Sequence, residues 1–272
     1  MATLSRTSVR DALDSAVIAI TAAGCDTPRL DAEVLLAAAM GVDRAALIAD
    51  PGRGLSPEEA GVFRDFARRR TQREPVAYIL GRKGFRRLEL EVDSRVLIPR
   101  PETEHVVEAA LTLPQGARVV DIGTGSGAIA LALADERPDL RVVGTDVSDD
   151  ALAVARANAA RLGLAVEFVE ADLLTGVAGP IDAVVSNPPY VREGERLAPE
   201  LTQYEPDIAL YGGGDDGLEI YRRLVPAVAG IPFVAFEIAG WQAEAVGALL
   251  EGYSIEVLRD LAGIDRVVVG RL

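Results

Sequence analysis

In 272 residues the sequence holds one cysteine, one histidine and one lysine, and each scarcity closes off a class of chemistry. A lone Cys25 builds neither a disulfide framework nor a cysteine-rich metal site, and a reducing compartment is its natural home. The lone His105 falls in an amphipathic helical stretch, where a surface or helix-packing role is expected. Long apolar runs are missing too. The first lasts about ten residues and follows Asp11 and Asp14, so neither a signal peptide nor a roughly 20-residue membrane span fits. A soluble cytoplasmic protein is expected. With 49% hydrophobic residues it has material for a core, and nothing in the composition suggests disorder.

The net charge of −14 is unevenly spread. Residues 1–75 carry 10 basic and 11 acidic side chains, a net of −1, and residues 76–272 carry 18 and 31, a net of −13. A surface that acidic repels a phosphate backbone at long range, so direct DNA binding is not expected. Locally, a basic stretch runs from Arg64 to Arg87. It reads either as a solvated helix face and hairpin or as a contact for an acidic or RNA-bound partner. Arginine outnumbers lysine 27 to 1, a compositional bias and not a functional signal.

Three textures follow one another. Residues 1–74 space apolar side chains at helical intervals (Leu13, Val17, Ile20; Leu30, Val34, Leu35; Phe63, Phe66) and break at Gly24, Gly41 and Pro51-Gly52, which predicts about four short helices. Residues 75–98 read as a linker whose alternating part, from Lys83, forms a β-hairpin. From residue 99 to 272 strands and helices alternate: "ARVVDIG", "LRVVGTD", "AVEFVEAD", "IDAVVSN" and "FVAFEIA" are strands, with helices between them. That rhythm predicts a doubly wound, mostly parallel sheet covered on both faces. "YSIEVLRD" and "DRVVVGRL" stand too close for a parallel crossover and should close a seven-stranded sheet as an antiparallel hairpin.

The chemistry begins at "VVDIGTGSGAIA". Asp121 ends the first strand of the sheet, and Gly123, Gly125 and Gly127 precede a helix, where backbone N–H groups can approach a ligand closely. Asp146 ends the next strand, and a carboxylate there can accept two hydrogen bonds from ribose hydroxyls. Gly123-x-Gly125-x-x-Ala128 also satisfies the dinucleotide fingerprint, so a dehydrogenase must be weighed. It lacks its acid–base residues: Lys83 stands five residues after Tyr78, not four, and no histidine is placed for the task.

The same stretch, with an acid ending the second strand and "EADLL" ending the third, resembles the S-adenosylmethionine-dependent methyltransferases. The resemblance implies that Asp172 reaches the adenine amino group and Leu173 packs on the ring. Asn187-Pro188-Pro189-Tyr190, at the end of the fourth strand, resembles the signature of methyltransferases that act on planar amide or aniline-like nitrogens. There the Asn187 oxygen and the Pro188 carbonyl would accept the two N–H groups of the substrate, with Tyr190 stacked on its flat face.

"REPVAYILG" (73–81), "VLIPRPETE" (96–104), "NPPYV", "YEPDIALYGGGDDGLEIYRRL" (204–224) and "DRVVV" together resemble the release-factor glutamine methyltransferases, the HemK-type enzymes. The resemblance covers nearly the whole chain. It implies an N-terminal helical domain for release-factor recognition (1–74), a hairpin linker (75–98) and a methyltransferase domain (99–272). The implied activity is methylation of the glutamine side-chain amide (N5) in the Gly-Gly-Gln motif of peptide chain release factors. S-adenosylmethionine is the implied cofactor, S-adenosylhomocysteine its product, and no metal is needed. Gly123, Thr124, Gly125, Ser126, Gly127, Asp146, Asp172, Leu173 and Asn187 would line the cofactor, and Asn187, Pro188, Pro189 and Tyr190 would hold the glutamine. One departure is Glu237-Ile238-Ala239-Gly240 where the family reads Glu-Ile-Gly, which puts a local turn in doubt. Thr103 is expected to cap the helix that follows it, within a segment that also shapes the pocket. Gly212-Gly213-Gly214 reads as a mobile loop near the substrate or as plain turn chemistry. Adenine-N6 methylation of nucleic acid and a catalytically silent cofactor-binding module remain alternatives, and a monomer is expected.

Overall fold

A computed structural model describes residues 7–272 and divides into two compact units. One runs to Gly81 and takes in Ala198–Tyr204; the other comprises Arg82–Leu197 and Glu205–Leu272.

The helical unit contains α1 (Val9–Ala22), α2 (Pro28–Met40), α3 (Arg44–Ala49), α4 (Pro57–Thr71), α5 (Val76–Leu80) and, from much later in the chain, α9 (Pro199–Tyr204). Its helix starts are written in the sequence. Ser8 with Asp11, and Ser56 with Glu59, form reciprocal capping boxes, each N-cap contributing about 1 kcal/mol. Ile20, Ala32, Leu35, Leu36 and Phe63 meet in its core. The unit runs past the compositional boundary at residue 74 because Ile79 of α5 is buried in that same core.

The sheet unit opens with a hairpin, β1 (Arg82–Phe85) and β2 (Leu88–Glu91). This hairpin, in the stretch read from the sequence as a linker, belongs to the sheet unit. Phe85 and Leu90 are buried with Val106 and Leu133, and Asn158, from a helix later in the chain, bonds the Glu91 N–H and carbonyl at 2.7 and 3.0 Å. The unit continues with α6 (Glu104–Ala110), β3 (Arg118–Ile122), α7 (Ala128–Glu136), β4 (Arg141–Asp146), α8 (Asp149–Leu162), β5 (Glu167–Glu170) and β6 (Ala183–Ser186). After α9 come α10 (Glu219–Ala227), β7 (Phe233–Glu237), α11 (Ala243–Leu249), β8 (Ser254–Arg259) and β9 (Asp265–Arg271). Seven strands form one sheet in the order β5-β4-β3-β6-β7-β9-β8. All pairs are parallel except β7 with β9 and β9 with β8, the closing hairpin.

Alternation along each strand sorts residues to the two faces. Val119, Val185, Ala235 and Val267 join the core with α6 and α7; Val120, Val184, Val234 and Val268 join the core with α10 and α11. The chain steps outward from β3 in both directions, to β4 on one side and to β6 on the other. This switch point opens a crevice at the carboxyl ends of the parallel strands, where open α/β sheets take their ligands.

The basic stretch is partly consumed within each unit. Arg69 pairs with Glu74, Arg70 with Asp31 and Glu200, and Arg73 with Glu200 in the helical unit; Arg86 pairs with Glu136 and Glu108 in the sheet unit. Four of its nine charges therefore neutralise carboxylates within a unit, while Arg64, Arg68, Arg82 and Arg87 stay exposed. Among the described residues no helix is long and apolar enough to cross a membrane, and no group of His, Cys, Asp or Glu is arranged to hold a metal.

Candidate active site

A cavity of about 230 Å³ lies in the crevice, and the carboxyl ends of β3, β4, β5 and β6 each send residues to it. From β3 comes the glycine loop, Gly123 to Ser126. Gly127 ends the loop at a left-handed φ of 83°, which favours glycine, and a Cβ there would also stand 3.3 Å from Ala155 Cβ of α8. Thr124 Oγ1 donates to buried Asp121 at 2.6 Å, which ties the loop to its strand. Burial pushes the Asp121 carboxyl up to about 7, against the hydrogen bonds of Thr124 and Ala130.

Asp146, at the end of β4, accepts from the Gly125 N–H at 2.9 Å and the Ser148 N–H at 3.0 Å. Burial raises its pKa, and these backbone bonds oppose the rise. Each oxygen keeps a lone pair free for a ligand. From the end of β5 come Asp172 and Leu173. Leu173 holds a left-handed φ of 56°, a strained backbone for a branched side chain, and its carbonyl accepts from Thr145 Oγ1 at 3.1 Å. Asp172 is bound on both oxygens by Arg223, at 2.7 and 2.6 Å, so its carboxylate reaches the cavity already paired.

Asn187, Pro188 and Pro189 line the cavity from the end of β6. Asn187 Nδ2 donates to Thr103 Oγ1 at 3.0 Å, which fixes the carboxamide's orientation; its Oδ1 makes no hydrogen bond to the described residues. Thr103 therefore does not cap α6 with its side chain, as the sequence suggested. Its backbone is helical, in a one-turn helix that runs into α6, and its hydroxyl serves Asn187 instead. Tyr190 does not line the cavity. Its ring packs with the α10–α11 core, and its hydroxyl donates to Glu237 at 3.2 Å. A phenol in that core needs a polar partner, and Glu237 supplies it.

Close backbone packing holds the segment from below. A Cβ on Gly212 would stand 2.7 Å from the Pro189 carbonyl, and one on Gly217 would collide with the Tyr190 carbonyl. Gly212 thus serves close approach: its N–H bonds the Val191 carbonyl at 2.9 Å. Gln242, fully buried, points Nε2 at the Tyr190 carbonyl and accepts from the Ala239 N–H at 3.0 Å. That bond closes the turn that the extra alanine had put in doubt. The sequence does not single out Gln242 and Gly217, and it marks Gly212 only as part of a glycine loop and Glu237 only as part of an altered turn; their contacts with the Asn187–Tyr190 segment come from distant elements that spacing does not reveal.

The mostly parallel sheet with its cavity at the switch point is that of a methyltransferase, and the comparisons agree. A family described as "PrmC N-terminal domain" matches residues 11–81, and "Methyltransferase small domain" matches residues 100–204. A methyltransferase from Pyrococcus furiosus, 20% identical, shares the fold with a TM-score of 0.53 over 68% of this chain and 88% of its own. The release factor glutamine methyltransferase of Caulobacter vibrioides is 42% identical over 91% of each chain, and that of Geobacter sulfurreducens 41% over 97% of each. The chain belongs to the release factor glutamine methyltransferase family.

The cavity fits the cofactor such an enzyme needs. Its lining is mostly apolar (Ile129, Val147, Ala171 and Leu173 among it) and converges on Asp146 and the glycine loop. Asp146→Ala is expected to weaken S-adenosylmethionine binding about tenfold to a hundredfold, the worth of one charged hydrogen bond. Calorimetry measures it, and unchanged affinity would refute the ribose assignment.

Proposed function

We propose that this chain methylates the side-chain amide nitrogen (N5) of the glutamine in the Gly-Gly-Gln motif of peptide chain release factors, with S-adenosylmethionine as methyl donor and S-adenosylhomocysteine as product. The observation that carries the reading is the anchored Asn187 carboxamide in the same cavity as Asp146. The glycine loop and Asp146 would hold the cofactor, with Asp146 turned to the ribose hydroxyls and Leu173 to the ring. Bound there, the cofactor supplies an electrophilic methyl group on a sulfonium.

The residues of the β6 end then deal with a poor nucleophile. An amide nitrogen has its lone pair delocalised into the carbonyl. Asn187 Oδ1 and the Pro188 carbonyl accept its two N–H groups and draw them out of the amide plane, which localises the lone pair. Proline rings keep these acceptors fixed before the substrate arrives, so little reorganisation is required during the reaction. Apolar side chains around them exclude water, which strengthens each hydrogen bond. Tyr190 acts from outside the cavity by holding the segment, and the helical unit supplies release-factor recognition in the cytoplasm.

Incubation with labelled S-adenosylmethionine tests the reading, with purified release factor and duplex DNA offered in parallel. Label in one glutamine of the factor, located by peptide mass mapping, is the expected result. Label in DNA at a comparable rate would sink it in favour of adenine methylation, and binding of cofactor and factor without transfer would leave a silent binding module.

A further inference from the structure

Behind the cavity, both ends of the Asn187–Tyr190 segment lead to one buried acid. Glu237 ends β7, is 1% exposed and does not line the cavity. Its Oε1 accepts from the Tyr190 hydroxyl, and its main-chain carbonyl accepts from the Tyr221 hydroxyl at 2.6 Å, which pins the strand end. Its Oε2 is buried without a hydrogen-bond partner. The Thr103 hydroxyl is, with Tyr190, a polar neighbour that pulls this carboxyl's pKa down, although it forms no hydrogen bond to Oε2. One lone pair of Thr103 Oγ1 is taken by Asn187 Nδ2, and its proton remains available to a carboxylate.

We propose that ionised Glu237 is a positioning residue for methyl transfer, holding the Tyr190 hydroxyl on one side and, through Thr103, the Asn187 carboxamide on the other. The inference rests on the reading of Asn187 as the group that receives the reacting amide. Burial pushes the Glu237 carboxyl up to about 7, opposed by the Thr103 and Tyr190 hydroxyls. Glu102 adds to the rise and Arg266 opposes it; Arg100 and Arg266 also act on Tyr190, and burial keeps Tyr221 neutral. On protonation Oε2 becomes a donor and competes for the Thr103 oxygen that Asn187 uses, while Tyr190 loses its charged acceptor. The segment therefore loosens as pH falls through about 7. A charge buried this deeply costs stability, so packing alone would be served better by a neutral side chain.

Glu237→Gln and Tyr190→Phe in the full chain test this, with methyl transfer to release factor measured at saturating cofactor. At pH 8 Glu237→Gln is expected to lower turnover about tenfold to a hundredfold, the range of a charged hydrogen bond, with cofactor affinity unchanged. The wild-type fall in turnover below pH 7 disappears in the variant. Asp121, the other carboxyl near 7, acts at the cofactor loop, and saturation hides its titration. Stability moves the other way. A carboxyl raised from 4.5 to about 7 loses stability as pH rises between those values, so Glu237→Gln should melt higher than wild type at pH 8 and near it at pH 4.5. Tyr190→Phe lowers turnover as well, and the double variant loses less than the two effects combined. Without any turnover, the Asn187 side-chain amide resonances of cofactor-free protein should titrate near pH 7 in wild type and not in Glu237→Gln. Resonances that titrate alike in both, or wild-type turnover with an unchanged acid limb in Glu237→Gln, would overturn the proposal. A wild type that transfers no label removes the functional reading alone, and the resonances still decide this one.

Discussion

Asn187→Ala is expected to fold normally and to lose about a hundredfold to a thousandfold in turnover, the cost of one well-placed transition-state hydrogen bond. The side chain stands half-buried at a cavity wall, with a single hydrogen bond to the described residues, so its removal takes little packing from the core. What it removes is the Oδ1 acceptor aimed at the reacting amide. Asn187→Asp separates acceptor from orientation. It keeps an oxygen and the size, but it lacks the NH2 that Thr103 Oγ1 receives and adds a negative charge beside the cofactor. It should therefore lose turnover as well. Melting temperature and turnover measured on one Asn187→Ala preparation decide the matter. A folded variant with near-wild-type turnover ends the assignment, and a lower melting temperature with normal turnover would make Asn187 a strand-exit residue only.

In the helical unit, Arg70→Met should cost about 3–5 kcal/mol of stability, the penalty for leaving buried charges without their partner. Arg70 is 6% exposed; Nε donates to Asp31 at 2.7 Å and one NH2 to Glu200 at 2.9 Å. Arg73 holds the second oxygen of Glu200 but does not reach Asp31, which is left with Thr27 alone. Arg70→Lys should recover only part of the loss, because an ammonium cannot serve two carboxylates from one fork. Burial works to raise the Glu200 carboxyl, and Arg73 and Arg70 overcome it and hold it below its ordinary value. The stability this pairing gives is therefore present above pH 4.5 and is lost as pH falls below it. Denaturant unfolding followed by helical signal reads both effects, and a wild-type midpoint for Arg70→Met would show the cluster to be energetically idle.

The sequence made the sheet legible because its strands are continuous apolar runs ended by chemistry: Asp121, Asp146, Asp172 and Asn187 all sit where a strand stops. Local signals carried the capping boxes and the glycine loop for the same reason. What stayed hidden depends on distant partners. Thr103 reads as a helix cap because Thr before Glu104 is a capping pattern, yet Asn187, 84 residues on, claims its hydroxyl. Tyr190 reads as a stacking ring, and only the arrival of Glu237 beneath it shows where the phenol is spent. Part of the basic stretch looks like a surface until Asp31, Glu200 and Glu136 are seen to take Arg70 and Arg86.

The helical unit also has a history in time. Its residues to Gly81 leave the ribosome before the sheet unit, but Glu200 follows Arg70 by 130 residues. Domains generally fold N-terminal first during synthesis, and at about 5–20 residues per second that separation is a delay of many seconds. Throughout it Arg70 and Arg73 lack Glu200, so the earlier of the two units is completed late. Its final ion pairs form only once the Asn-Pro-Pro-Tyr segment has itself been synthesised.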